Sequence, residues 1–394
     1  MSRPQVLLFT IDAGGGHRAA ARALLAAAEE TAAPFELRVE SFQQLLLPLD
    51  VLRRATGVSL EDAYNLILRR HWNALMVPLL RLMHAAIRAR RRAIVRVLTD
   101  WLRAQPRPAA LVSVMPNFNG LMRDALAAAH PGVPLVVVLT DYADFPPRFW
   151  IEPGIDRLVV ASDEAERQAR GLGVSPAAVR RVSGMVLHPR FYRSAQARPR
   201  LELRRELALP EDAFSVMLLF GGKGSPEMEP LADRLVALDP PLHVIAVCGD
   251  NPGLAARLAP IEARAGGRLH AFGFTDRVAE LLAASDLLVT KPGPGSLAEA
   301  FHQRVPVIVT RNIHTIPQER FNTDLVRERG LGRVVSHWRE IPAEVARLHA
   351  DAAAREEIRR RLALLPQNRA VYEVLEVVKE AAALAPGVTP SSQA

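Results

Sequence analysis

Residues 6–18 read Val-Leu-Leu-Phe-Thr-Ile-Asp-Ala-Gly-Gly-Gly-His-Arg and run into Ala19–Glu30, an alanine-rich stretch with apolar residues at helical spacing. A short apolar run, Val6–Ile11, bounded by a glycine cluster fits a strand buried on both faces. The stretch after the glycines fits a helix that covers one of those faces. The same strand–loop–helix unit recurs along the chain. Further strands are expected at Leu37–Glu40, Leu111–Val114, Leu135–Leu139, Leu158–Val160 and Val179–Val182. A second set is expected at Val216–Phe220, Leu242–Val247, Leu269–Ala271, Leu287–Val289 and Val305–Val309, with helical patterns between them. Strands alternating with helices imply parallel sheets covered on both sides. The fold class is therefore α/β: two Rossmann-like doubly wound domains facing across a cleft. The stretch 185–213 has a proline-containing loop and a charged run without strand signals, and is assigned as the connection. The domains are placed at 1–190 and 191–385, with a flexible tail over 386–394 rich in small residues and proline.

The 394 residues are long enough for two such cores. A content of 49% hydrophobic and 23% charged residues excludes a disordered chain. Cys248 is the sole cysteine, which excludes an internal disulfide and cysteine-rich metal sites. No metal is expected, because the histidines are scattered and no paired-ligand motif is present. Val6–Ile11 is too short for a signal peptide, and no uncharged apolar stretch approaches the ~20 residues that span a bilayer. A cytoplasmic protein with at most peripheral membrane contact is expected.

In open sheets of this kind ligands bind beyond the carboxyl ends of the strands, so the loops there hold the candidate residues. Gly15 and Gly16 allow close backbone approach, and His17 opens the helix, where the dipole favours neutral imidazole. That suits a general base taking a proton from a hydroxyl; the alternative is a histidine that only caps the turn. In the second half Gly221-Gly222-Lys223-Gly224-Ser225 repeats the design, with Lys223 able to face a diphosphate or merely to sit in a tight turn. The sharpest signal is Thr290-Lys291-Pro292-Gly293-Pro294-Gly295-Ser296. Its glycines leave amides free for phosphate oxygens, and Ser296 is expected to cap the helix. Glu299, one turn on, can accept both hydroxyls of a ribose or simply offset the dipole. Gln318 and Glu319 offer polar groups to sugar hydroxyls or act as surface caps. Two of only three lysines, Lys223 and Lys291, lie in these loops, whereas Lys379 does not. After the strand Leu135–Leu139, Asp141 and the aromatic run to Trp150 are placed at the mouth of an acceptor site, or alternatively in packing.

The net charge of +8 is local. Residues 51–107 hold twelve arginines against Glu61, Asp62 and Asp100, a balance of +9 that leaves −1 for the rest of the chain. Within a helical segment over 60–104, Met83, Ile87, Ile94, Leu98 and Trp101 share one face and Arg81, Arg88, Arg92, Arg96 and Arg103 the other. This pattern fits a helix lying on an anionic membrane, a domain helix with a solvated arginine face, or a nucleic-acid surface. Sparse aromatics and the lack of a nucleic-acid motif weigh against the last.

Together the loops resemble the monogalactosyldiacylglycerol synthases and processive diacylglycerol glucosyltransferases of glycosyltransferase family 28. The resemblance lies in Asp12-Ala-Gly-Gly-Gly-His-Arg-Ala-Ala-Ala, Gly221-Gly-Lys-Gly-Ser, Cys248-Gly-Asp-Asn, Gly273-Phe274, Thr290 to Ala300 and Pro317-Gln-Glu, in the family's order. It covers roughly residues 5–335 and is patchy between 42 and 105. It implies a GT-B fold, a UDP-sugar in the C-terminal domain and a lipid acceptor in the N-terminal domain. His17 would be the base, and Glu299 the ribose ligand. Gly293, Gly295 and Ser296 would form the diphosphate loop, Gln318 and Glu319 would contact the sugar, and Gly273 and Phe274 would lie along the uracil. The implied chemistry is one displacement with inversion, with no cofactor, the UDP-sugar being a substrate. The implied location is the inner face of the cell membrane. Three features depart from the family. Lys223 stands where plant members carry Glu, Met115 replaces the His of Ser-Val-His-Pro, and 313–319 has a bacterial form. A UDP-GlcNAc 2-epimerase relative, a UDP-GlcNAc transferase to another lipid-linked acceptor and a non-enzymatic UDP-sugar sensor are the alternatives.

Overall fold

The computed structural model describes residues 3–11, 15–47, 76–313 and 315–384. Asp12–Gly14, the first part of the basic segment and the tail fall outside these residues, as does the side chain of Arg81.

The chain divides into two compact units. One consists of Met1–His188, Ile316–Gln318 and Asn368–Ala394, the other of Pro189–Thr315 and Glu319–Gln367. Six parallel strands form the sheet of the first unit: β1 Gln5–Thr10, β2 Glu36–Ser41, β3 Ala110–Ser113, β4 Leu135–Val138, β5 Arg157–Val160 and β6 Val179–Arg181. Their spatial order is β2-β1-β3-β4-β5-β6. Side chains alternate between faces along each strand. Leu7, Phe9, Leu111, Leu135 and Val137 join the core built with helices Arg91–Arg103, Asn119–Ala129 and Asp163–Gly171. Val6, Leu8, Val112, Val136 and Val138, equally buried, take the opposite face. Helices Gly16–Glu30 and Ala370–Ala383 pack there.

The second unit repeats the plan with β7 Ser215–Leu219, β8 His243–Val247, β9 Leu269–Phe272, β10 Leu287–Thr290, β11 Val307–Thr310 and β12 Gly332–Val335. All six are parallel, in the order β12-β11-β10-β7-β8-β9.

Two expectations change. Helix Ala370–Ala383 belongs with the first unit, not with a continuous domain over 191–385. It buries Val371, Val374, Leu375, Val377 and Val378 against β3, β4 and β5, each side chain contributing ~1.5–3 kcal/mol. Polar bonds fix the crossing: Glu373 accepts from Ser183 N at 2.7 Å, and Asn368 donates to Met185 O at 2.9 Å. The stretch read as a connection is also structured. Helices Pro189–Ala197 and Arg200–Glu206 lie in the second unit, and Leu203, Leu207 and Leu209 enter its core. Arg204 is 1% exposed and donates to Ser215 Oγ, Ala284 O and Pro210 O. It also pairs with Asp286, the carboxylate shared by Arg200 and Arg359. A buried guanidinium is tolerated here because nearly every donor has a partner.

Candidate active site

In the first sheet the chain leaves β1 for β2 on one side, and β3 pairs with β1 on the other. The carboxyl ends of β1 and β3 therefore form the switch point of the sheet, where ligands bind. Helix Gly16–Glu30 starts there, with exposed Gly15 as its N-cap residue. Among the described residues nothing lies within 4 Å of a Cβ built at Gly15 or Gly16, beside His17. Val114, just past β3, lies with its carbonyl oxygen 2.9 Å from His17 Nδ1. A carbonyl only accepts, so Nδ1 carries the proton and Nε2 keeps the lone pair. Thr140 Oγ1 lies 3.1 Å from the same Nδ1. Burial lowers the His17 pKa to about 4, against the opposing bond to Val114. Burial is thus the cause to add to the dipole argument, and the ring is neutral at pH 7.

Trp150 is the wall behind this ring, with centroids 5.6 Å apart. It is fully buried and so does not face an acceptor directly. Its Nε1 donates to Asp141 Oδ2 at 2.8 Å, which ties both acceptor-side candidates to the histidine. The loop that delivers Trp150 is folded around Asp144, which sequence reading passed over. The buried Asp144 carboxylate accepts from Trp150 N at 2.6 Å and Arg148 N at 2.8 Å. Burial raises its pKa while those backbone bonds pull the other way.

The second sheet has its switch point between β7 and β10. Both glycine loops singled out in the sequence emerge there. Gly221 has φ +76°, and a Cβ on it would lie 3.2 Å from Lys291 Cε. Gly249, after β8, has φ +61°, and a Cβ there would lie 2.2 Å from Gly222 O. Asn251 Nδ2 donates to Lys223 O at 2.9 Å. Lys223 and Lys291 are both exposed.

Helix Pro294–His302 begins one residue after Gly293, which is its N-cap residue, and no side chain caps it. Ser296 therefore lies inside the first turn and does not cap. Pro294 has no N–H and Leu297 N bonds Gly293 O, which leaves the amides of Gly295 and Ser296 for a ligand. Asn322, unremarked in the sequence, is fully buried and donates to Pro292 O at 2.7 Å, fixing this loop. Glu319 Oε1 would lie 3.5 Å from a Cβ at Gly293. Burial raises the Glu319 pKa, with Lys291 opposing. Gln318 is 5% exposed and its Oε1 is buried without a partner among the described residues. Burial lifts Glu299 to about 8, opposed by Arg190. Gly273 and Phe274 follow β9, and Phe274 is 77% exposed, an aromatic face open for stacking.

The described part of the basic segment holds two helices, Met76–Ala89 and Arg91–Arg103, parted at Arg90. Ile94, Leu98 and Leu102 are buried in the first core, and Met83, Ile87 and Trp101 pack on it. The apolar stripe is thus committed to the domain and does not face lipid. Arg88, Arg92, Arg96 and Arg103 remain exposed, with Leu82 67% exposed near them. Among the described residues no helix is long and apolar enough to cross a membrane, and no cluster of three metal-ligating side chains occurs.

No protein-family model matches the chain. It is 28% identical over 371 residues to the chloroplastic monogalactosyldiacylglycerol synthase of Spinacia oleracea, covering 88% of this chain and 66% of that enzyme. It is 29% identical over 220 residues to the processive diacylglycerol beta-glucosyltransferase of Bacillus subtilis (strain 168), covering 56% of this chain and 55% of that enzyme. The curated relatives are diacylglycerol glycosyltransferases. The chain thus spans about two thirds of the first of these relatives and about half of the second. Among solved structures, the calicheamicin glycosyltransferase CalG4 matches with TM-score 0.61 at 17% identity, covering 99% of this chain and 100% of that one. MurG of Acinetobacter baumannii matches at 0.58 and 14%, covering 96% and 99%. A putative UDP-N-acetylglucosamine 2-epimerase from Listeria monocytogenes matches at 0.58 and 16%, covering 96% of each chain. The two parallel six-stranded sheets and these neighbours establish a two-domain α/β GT-B fold.

Proposed function

We propose that the protein is a UDP-sugar-dependent hexosyltransferase that moves a hexose onto a diacylglycerol-type lipid with inversion at the anomeric carbon. The observation that carries this reading is His17: a neutral imidazole with its Nδ1–H held by Val114 O and the lone pair on Nε2, beside Gly15 and Gly16, where no described residue would meet an added Cβ. In this reaction Nε2 takes the proton of the acceptor hydroxyl. The hydroxyl oxygen attacks the anomeric carbon, and the bond from that carbon to the diphosphate breaks with its electron pair on UDP. The amides of Gly295 and Ser296, with the cations of Lys291 and Lys223, stabilise the departing diphosphate. Glu299 takes the ribose, Gly273 and Phe274 the uracil, and Gln318 and Glu319 the sugar hydroxyls. No cofactor enters the reaction.

The relatives' names support the lipid acceptor. The exposed arginines Arg88, Arg92 and Arg96 support peripheral attachment to an anionic membrane, on the inner face of the cell membrane, by charge rather than by insertion of the apolar stripe. The test is UDP release from a UDP-hexose that requires diacylglycerol and is lost in His17→Ala. The same GT-B fold carries 2-epimerases, so conversion of UDP-GlcNAc to UDP-ManNAc without acceptor is the outcome that replaces this reading.

A further inference from the structure

The two nucleoside-side elements of the second unit stand on strands that do not touch. Gly273 and Phe274 follow β9, whereas Glu299 rides on the helix after β10, and β7 and β8 lie between them. Three strand spacings separate them, about 14 Å, so sheet pairing alone does not set one against the other. Arg190 bears on both. Its Nη1 donates to Asp276 O at 2.9 Å, two residues beyond Phe274, and its charge is the one among the described residues that acts on the Glu299 carboxyl. The helix that carries it, Pro189–Ala197, is itself held on both sides. It packs on Val278–Ala284, the helix after the Phe274 loop. Tyr192 also meets His302, at the end of the Glu299 helix, edge to face at 4.9 Å.

We propose that Arg190 is a positioning residue of the nucleotide site, one guanidinium that fixes the uracil-side loop from a helix packed against the end of the helix carrying the ribose-binding Glu299. The inference rests on the reading of Glu299 as the ribose contact. Burial holds that carboxyl at about 8 even with Arg190 opposing it. Among the described residues the other ionisable groups on or beside this helix act elsewhere. His302 on the same helix is kept neutral by burial, and Lys291 acts on Glu319 at the helix start. Ribose hydroxyls donate best to the ionised carboxylate. Its ionised fraction rises from roughly one tenth at pH 7 to one half at pH 8, so UDP affinity rises about fivefold over that unit. Without the cation the carboxyl moves further up, affinity at pH 7 falls, and the rise steepens toward tenfold.

The test is calorimetric titration of the full-length protein with UDP and with 2′,3′-dideoxy-UDP at pH 7 and pH 8, using wild type, Arg190→Gln and Arg190→Lys. The expected result is UDP binding roughly tenfold weaker in Arg190→Gln at pH 7 with the steeper pH dependence, restoration of the wild-type pH dependence by Arg190→Lys, and dideoxy-UDP binding that ignores pH in every variant. Unchanged UDP affinity and pH dependence in Arg190→Gln, or an equal loss of dideoxy-UDP binding, overturns the role of Arg190 and leaves the donor site standing. Failure of wild type to bind UDP overturns the donor site itself.

Discussion

The neutral imidazole of His17 makes a quantitative statement about acid. With burial holding the imidazole at about 4, roughly 99% of it is neutral at pH 6 and roughly 91% at pH 5. An ordinary imidazole at ~6.5 would be only about 24% and 3% neutral at those two values. The rate at saturating donor should therefore fall by only about a tenth between pH 8 and pH 5, where an unperturbed histidine base would cost about thirtyfold. Saturation matters because it removes the titration of Glu299 from the profile. The stability linkage runs in the same direction. The folded value lies below the unfolded one, so the contribution of the neutral ring is fully present above ~6.5 and is lost as pH falls toward 4. Initial rates of UDP release from pH 8 down to pH 5, with circular dichroism confirming the fold at each point, decide the matter. An acid limb centred between pH 6 and 7 in folded protein would refute the assignment of a half-buried, Nδ1-protonated base.

Two further substitutions probe the donor loops and the arginine face. Gly249→Ala places a Cβ 2.2 Å from Gly222 O at φ +61°, adding ~1–2 kcal/mol of backbone strain and displacing the loop around Lys223. UDP affinity should fall at least about tenfold, whereas Gly253→Ala, which meets only ordinary contacts beyond 3.5 Å, should leave it unchanged in the same titration. Replacing Arg88, Arg92 and Arg96 together by Gln should weaken binding to vesicles containing anionic lipid by roughly tenfold to a hundredfold and leave UDP affinity intact. Sedimentation with vesicles and calorimetry read the two arms.

Strands that are continuous apolar runs were legible because burial on both faces leaves no other composition for them. β12 was not, since Gly332-Arg333 breaks the run. The glycine is there because a Cβ would lie 2.1 Å from Val307 O, a contact with a neighbouring strand that no local pattern displays. The loops carrying His17, Gly221 and Lys291 were legible from glycines at strand ends. Their convergence in pairs required the strand order, which places β3 against β1 and β10 against β7. Charge misled in two places. Arg204 lay in a charged run assigned as a connection, yet it is buried because Ser215, Asp286 and the carbonyls of Pro210, Ala213 and Ala284 receive it. The stripe of Met83, Ile87, Ile94, Leu98 and Trp101 had the periodicity of a lipid-facing helix. A domain core asks for the same periodicity, and the core took it. Asn322 and Arg190 act on loops 30 and 86 residues away in sequence, and Asp144 through backbone amides of its own loop, so side-chain spacing gave no sign of them.

The most direct test of the whole account is one assay: wild type and His17→Ala incubated with UDP-galactose, UDP-glucose or UDP-GlcNAc, with and without diacylglycerol in anionic vesicles, following UDP and labelled lipid together. UDP should be released in step with glycosylated lipid for at least one donor and not at all without acceptor, at a rate at least about a hundredfold lower in His17→Ala. Acceptor-independent formation of UDP-ManNAc, or glycolipid synthesis at the wild-type rate in His17→Ala, would contradict it.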